Sequence, residues 1–244
     1  MGKVFVETNR EENMGIIGID LETTGINPEH NRIIEIGAIR VETGEVFHTL
    51  VNPKMPLREK TIEITGITEQ LLQDAISEEE AIKQFVQFLG EDRILLGHSI
   101  AFDHSFLVLA MKRCGYEVPQ FFGIDTLLLS RQLCKELPKK TLQAMCEHFG
   151  IINHRAHRAL EDIKATIQLY HCLEQQGGKV TPTPLVFKPK KQEPMTAHQS
   201  SYLKEFLAYH HLEGKYETEG MTKSEASRLT DRLISMYGRI PNRY

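Results

Sequence analysis

The stretch IIGIDLETTG, residues 16–25, decides how the fold is read. A compact apolar run from Ile16 to Asp20 ends abruptly in acids and then in the turn-forming pair Thr24-Gly25. That pattern is a short buried strand with its carboxylates at the C-terminal end. Asp20 and Glu22 stand two apart, so on a strand both side chains leave the same face of the sheet. Neighbouring carboxylates repel unless a cation sits between them. A hard divalent ion such as Mg²⁺ takes one or two carboxylates together with water and substrate phosphate, which makes the pair a half-site for phosphoryl chemistry. Taken alone, two solvated acids at a strand end account for it equally well.

Outward from this strand, Arg32–Val41 and Val46–Val51 read as two more strands around the tight turn Thr43-Gly44, an antiparallel hairpin. Glu78–Leu89 repeats apolar residues at helical spacing (Ala81, Ile82, Phe85, Val86, Leu89), with Ser77 as N-cap and Gly90 as stop. A buried strand at Ile94–Leu96 leads to a helix over Phe102–Cys114, closed by Gly115. Ile124–Leu133 carries a strand into a helix, Thr141–Phe149 is a short helix, and His157–Gln176 is a long one ending in Gly177-Gly178. Strands first, then helices alternating with strands, indicate an α/β domain with a mixed sheet.

At residue 178 the composition shifts to a proline- and lysine-rich stretch without helical periodicity, read as a linker over 178–195. Domain 1–177 precedes it and a small helical module, 196–244, follows. Thr196–His210 and Thr222–Tyr237 are two short amphipathic helices around a polar loop, a helical hairpin with little core of its own that is expected to dock on the main domain or on a partner. Thr222 with Glu225 makes a capping box. Lys179, Lys188, Lys190 and Lys191 suit either a phosphate backbone or a solvated spacer.

With 244 residues, 41% hydrophobic and 25% charged, the composition is that of an ordinary soluble globular protein. A formal net charge of -4 argues against tight non-specific duplex binding but not against a nuclease, whose carboxylate site becomes electropositive only with its ions. Cys114, Cys134, Cys146 and Cys172 have neither zinc nor redox spacing and read as free thiols. The N-terminal residues MGKVFVETNREENMG lack the apolar core of a signal peptide, and no apolar run spans a bilayer, so a cytoplasmic protein with no membrane partner is expected.

Two further segments carry chemistry. LLGHSIAFDHSFL (95–107) places Asp103 at the start of a helix, where the helix dipole alone explains an acid. HRAHRALEDIKAT (154–166) places His157 at the start of the long helix and Asp162 five residues on. Each is weak by itself; a histidine ahead of a helical acid is most often a surface residue.

Together the three segments resemble, in order, spacing and context, the three motifs of the DnaQ-like (DEDDh) 3′-5′ exonuclease family. That family includes the epsilon-type and PolC-type proofreading exonucleases of bacterial DNA polymerase III. The resemblance covers roughly residues 14–175 and takes in IEITGIT (62–68) and GIDTLLLSRQL (123–133). It implies a ribonuclease H-like fold. It also implies that Asp20, Glu22, Asp103 and Asp162 are the acidic ligands of two Mg²⁺ (or Mn²⁺) ions and that His157 is the general base, a group of near-neutral pKa. In family terms Asp20, Glu22 and Asp162 hold one ion. Asp20 and the scissile phosphate hold the other, with Asp103 assisting through water. His154 is read as a solvent-facing neighbour.

The implied terminal-nucleotide pocket uses Thr23, Thr24 and Gly25 for the 3′ end and Ile67 and Phe102 as apolar faces for bases; core packing is the equal alternative for the last two. Ser99 departs from the asparagine common in relatives. The implied partner is nucleic acid with a free 3′ end, single-stranded DNA first, acted on in proofreading or repair, with a DNA polymerase subunit as a further partner. Trimming of RNA ends stays open, because the 2′-hydroxyl is read by pocket details that motifs do not resolve. An inactive binding or scaffold protein fits poorly with five catalytic positions present. The tail, with LKEFLAYHHLEG and MTKSEASRLTDRLISMYG, resembles small helical modules appended to bacterial and phage nucleic-acid-handling proteins.

Overall fold

In a computed structural model the described residues are 15–178, 180–189 and 193–241. The chain divides into two compact units, Met1–Phe187 and Lys188–Tyr244. The first contains β1 (Ile16–Thr23), β2 (Ile33–Arg40), β3 (Val46–Asn52), α1 (Glu59–Thr65), α2 (Glu69–Gln73), β4 (Ile76–Ser77) and α3 (Glu78–Leu89). It continues through β5 (Ile94–Gly97), α4 (Ala101–Arg113), β6 (Phe122–Asp125), α5 (Thr126–Leu133), α6 (Leu142–Phe149), α7 (Ala159–Gln175) and β7 (Thr183–Pro184). The sheet order is β4-β3-β2-β1-β5-β6-β7. β1, β2 and β3 are antiparallel, whereas β5 and β6 run parallel to β1, so the sheet is mixed and helices cover both faces. This is the expected ribonuclease H-like arrangement.

Alternation along β1 separates structure from chemistry. Ile17, Ile19 and Leu21 point to one face and pack with Phe85 of α3 and Phe106 of α4 in the larger core. Gly18, Asp20 and Glu22 point to the other, beneath α7. A Cβ at Gly18 would lie 3.0 Å from Ile163 of α7, so the glycine lets the helix come down on the strand. A second core on that side gathers Leu96, Leu129, Met145, Leu169 and Leu173.

Two local features of this unit differ from the sequence expectations. Residues 59–73 hold α1 and α2, which at seven and five residues are too short to show periodicity; Gly66 in the left-handed region ends the first, and Thr68 caps the second. The stretch expected as a free linker is extended, but its first half is docked. β7 pairs with β6, Leu185 donates its N–H to Phe121 O (2.8 Å), and its side chain covers Gly123. Pro182 and Pro184 are tolerated there because β7 is an edge strand. Of the lysines named for this stretch, Lys179, Lys190 and Lys191 lie outside the described residues.

The second unit contains α8 (Ala197–Tyr209) and α9 (Lys223–Tyr237), each opened by a capping box, around a core of Leu203, Phe206, Leu207, Leu212, Ala226 and Leu233. The two helices run parallel instead of forming the expected hairpin. Their N-terminal ends are tied by Gln199 Nε2 donating to Lys223 O (2.9 Å) and by the Pro194–Thr222 bridge, while His210 and Tyr237 meet at their C-terminal ends with ring centroids 5.7 Å apart. The intervening loop returns along the pair. Among the described residues no helix is long and apolar enough to cross a membrane, and the four cysteines are unpaired.

Candidate active site

β1 delivers Asp20 and Glu22 to the face that α7 covers. Asp103, in the first turn of α4, is buried, and its Oδ1 accepts a hydrogen bond from Leu21 N–H at 3.0 Å. The register explains this contact. β5 pairs with β1 only from Ile16 to Gly18, so beyond Gly18 the edge of β1 is open and the Leu21 amide takes a side-chain acceptor instead.

Asp162 comes from the first turn of α7 and is buried. Its Oδ2 accepts His157 N–H (3.0 Å) and its Oδ1 accepts Asn153 Nδ2–H (2.5 Å). α7 reaches the sheet because β2 carries Gly37, the residue paired with Asp20. A Cβ at Gly37 would stand 2.5 Å from Ala159 C and Leu160 N, inside the backbone of the helix start. His157 is not the first helical residue expected. It sits ahead of the N-cap Arg158 with φ +65°, the left-handed region, and this turns its ring outward while its N–H turns back to Asp162. Ligand atoms of Glu22, His157 and Asp162 lie within 4.8 Å of one another. His154 is exposed.

The electrostatics are those of a cation site. Burial, then the charges of Asp103, Asp162 and Glu22, hold the Asp20 carboxyl well above the usual carboxylate range. Burial, then Asp162 and Glu35, pushes Glu22 up to about 8. Burial pushes Asp103 up to about 8 against the pull of the Leu21 N–H, and burial raises Asp162 despite its two hydrogen bonds. Four oxygen donors that resist ionising together fit hard divalent cations, whose charge reverses that balance.

Two contributors escaped the sequence reading. Glu35, an acid inside the apolar strand IIEIGAI, is fully buried. It accepts from Arg158 Nε (3.1 Å) and Nη2 (2.9 Å) and from Ala159 N–H (3.1 Å), and it meets His48 Nε2 at 2.7 Å. Burial opposes its charge, but these partners outweigh burial and hold its pKa below the usual value. Arg158 is thereby hydrogen-bonded to Glu35, though its charge still reaches Glu22, and the start of α7 is fastened to β2. Asn153 is the second contributor, through its bond to Asp162. A lone acid in an otherwise buried strand was the signal for Glu35; Asn153 had none.

The residues expected in a terminal-nucleotide pocket divide. Thr23 Oγ1 donates to Gly25 O (2.8 Å). Thr24 is buried, and its hydroxyl donates to Asn31 Oδ1 (3.2 Å) while accepting Arg32 N–H (3.1 Å), so it shapes the loop from inside. Gly25 approaches Asn31 so closely that a Cβ would stand 2.7 Å from Oδ1. Ile67 is fully buried with Ile34 and Leu72, which is the core-packing alternative. Phe102 is half-buried, with its ring 5.0 Å from that of Phe106, and keeps an open side. Ser99 adopts φ +75° and donates its N–H to Asp125 Oδ1 (3.0 Å). Asparagine accepts that backbone more readily than serine.

Residues 17–170 match the RNase T family model, described as Exonuclease. The chain belongs to this exonuclease family. The family match ends before the second unit. Among relatives of this exonuclease-family chain, DNA polymerase III PolC-type of Thermotoga maritima is 39% identical over 158 residues, covering 62% of this chain and 11% of the relative. The same protein of Bacillus subtilis is 39% identical over 154 residues, with the same coverage. The chain thus spans about a tenth of the length of these curated relatives. Among solved structures, E. coli Exonuclease I in complex with a dT13 oligonucleotide superposes with TM-score 0.61 at 21% identity, over 67% of this chain and 42% of that one. The nuclease domain of 3′hExo, a DEDDh family member bound to rAMP, gives 0.60 at 22%, over 72% and 99%. At such identities the likeness is one of fold.

Proposed function

We propose that this protein is a metal-dependent 3′-5′ exonuclease that releases nucleoside 5′-monophosphates from the free 3′ end of single-stranded DNA, acting in proofreading or repair in the cytoplasm. The observation that carries the reading is the convergence of Asp20, Glu22, Asp103 and Asp162 from three separate elements, with His157 beside them. The four carboxylates would hold two Mg²⁺ or Mn²⁺ ions, which when bound lower the pKa of an attacking water and stabilise the departing 3′ oxygen. His157, with its exposed ring, accepts the proton of that water. Asp162 orients His157 through the backbone N–H, and the Glu35–Arg158 pair keeps both on the start of α7. Thr23 and Gly25 contact the 3′ end, and Phe102 offers its open side to a base. The description of the relatives as DNA polymerase III supports action beside a polymerase subunit.

The test uses 5′-labelled DNA and RNA oligonucleotides of one sequence, with Mg²⁺, with Mn²⁺ and with chelator, next to Asp20→Ala. A metal-dependent ladder shortening from the 3′ end, faster on DNA and absent in the variant, is expected. No ladder on either polymer sinks the reading.

A further inference from the structure

Beside the acidic cluster lies a cleft of about 710 Å³ whose charged lining is cationic: Arg131 from α5 and Lys135 and Lys140 from the loop before α6. From Arg131 to Lys140 the chain carries four cations, Arg131, Lys135, Lys139 and Lys140, against the carboxylate of Glu136. That carboxylate lies within 4.8 Å of ligand atoms of Cys134 and His148 and does not line the cleft. Arg131 and Lys135 are exposed and form no ion pair among the described residues. Lys140 is held by the carbonyls of its own loop, but Arg131 and Lys135 have no such structural use among the described residues, and three cations on one concave surface repel one another. A polyanion relieves that repulsion.

The cleft is fixed to the active site by His98. Its Nε2 meets Lys140 O at 2.8 Å and its Nδ1 meets Thr126 Oγ1 at 2.9 Å, which holds the loop to the start of α5. His98 follows the last residue of β5, Gly97, where a Cβ would lie 3.2 Å from the Ile19 carbonyl, next in sequence to Asp20, and its ring is close enough to Asp162 to feel that charge. Burial holds the His98 ring below its usual pKa, so the ring serves as a neutral strut and leaves the charge to Arg131 and the lysines. Lys140 Nζ donates to the Leu137 carbonyl, which folds the loop over itself and turns the ammonium into the cleft wall. The first turn of α6, capped by Thr141, also opens here and adds the positive end of its dipole. Leu127 supplies an apolar floor.

We propose that this cleft is the subsite for the phosphodiester backbone of a single-stranded substrate, on the 5′ side of the nucleotide being removed. The proposal rests on the exonuclease reading and adds where the rest of the strand is held. The carboxylate cluster takes the scissile phosphate only with cations present and repels the neighbouring phosphates. The cationic cleft on the other side of His98 gives those phosphates a permanent seat.

The experiment compares the full-length protein with Arg131→Ala/Lys135→Ala and with the charge-keeping exchange Arg131→Lys/Lys135→Arg. Binding is read by anisotropy on 12-nucleotide DNA and RNA protected at the 3′ end by phosphorothioate linkages, over a salt series. Cleavage is read on the unprotected oligonucleotide and on the p-nitrophenyl ester of thymidine 5′-monophosphate, which reaches only the terminal site. Expected for the alanine pair are about tenfold weaker oligonucleotide binding and a salt slope shallower by about 1.4, at about 0.7 per lost phosphate contact. The ratio of oligonucleotide to ester kcat/KM should also fall about tenfold, and the exchange pair should restore all three. Native affinity and native salt slope in the alanine pair would overturn the proposal. Salt-dependent binding through these cations without cleavage of either substrate would support the cleft and count against the exonuclease reading.

Discussion

Gly37→Ala is the sharpest probe of how this fold makes its site. The added Cβ would stand 2.5 Å from Ala159 C and Leu160 N and 2.7 Å from Ala159 O, where ordinary contact begins at 3.4 Å. These atoms are backbone at the start of a helix fastened to Glu35, so no side chain can swing aside. α7 must lift by about 0.9 Å. Overpacking of this kind costs about 1–3 kcal/mol, a fall in Tm of roughly 3–10 °C for a unit of this size. The lift carries His157 and Asp162 away from Asp20 and Glu22, and a misplacement near 1 Å lowers kcat by about 100-fold. Gly18→Ala is the control on the same face. The atoms nearest its Cβ would be side-chain carbons of Ile163 and Ile167 at 3.0 Å, which can shift where the backbone of α7 at Gly37 cannot, and kcat within about threefold of native is expected. The assay is thermal unfolding together with single-turnover cleavage of a labelled oligonucleotide in Mg²⁺. Native Tm and native kcat in Gly37→Ala would refute the claim that helix approach at this glycine sets the site.

Other outcomes follow from the same geometry. Glu22 and Asp103 keep their protons up to about 8 in the metal-free fold but ionise near 4 when unfolded. The native state therefore binds more protons across that window, and metal-free stability falls as pH rises from about 4 to about 8. Unfolding in chelator should give a lower Tm at pH 8 than at pH 6, and Mn²⁺ should raise Tm more at pH 8; a metal-free Tm that climbs with pH contradicts this. Arg158→Ala leaves Glu35 buried with a reduced set of partners and should lower both Tm and kcat, with kcat falling more than KM changes; Lys at 158 should recover part of the loss. Ser99→Asn, at φ +75°, should raise Tm by about 1–3 °C, whereas Ser99→Val lowers it; equal Tm values for the two would remove strain as the reason for asparagine there.

The strands that carry the acids were legible because β1 reports itself twice, by an apolar run and by alternation that puts Ile17, Ile19 and Leu21 opposite Asp20 and Glu22. Asp103 was legible as an acid at a helix start and Asp162 as an acid five residues after His157, yet their convergence on β1 depends on which elements become neighbours. Local patterns carry no such information, and the family resemblance supplied it. His157 was placed one step into a helix it precedes, since composition does not mark a left-handed residue that is not glycine or asparagine. The direction of α9 relative to α8 was hidden for a similar reason: Thr222 and Glu225 mark where the helix starts, and a polar loop can turn the chain either way. β7 went unread because its partner lies some sixty residues away and its two prolines resemble a spacer.

The overhang of β1 beyond β5 makes Asp103 two things at once, a site carboxylate and the cap on an exposed strand edge. Its possible replacements are therefore not equivalent as tools. Alanine strips the acceptor and leaves the Leu21 amide an orphan, so a silent alanine form could owe its silence to a loosened edge. Asparagine keeps an oxygen for that amide and removes only the charge. For capturing an intact oligonucleotide in the site, the asparagine form is the bait of choice, since it leaves the strand that presents Asp20 and Glu22 still hemmed.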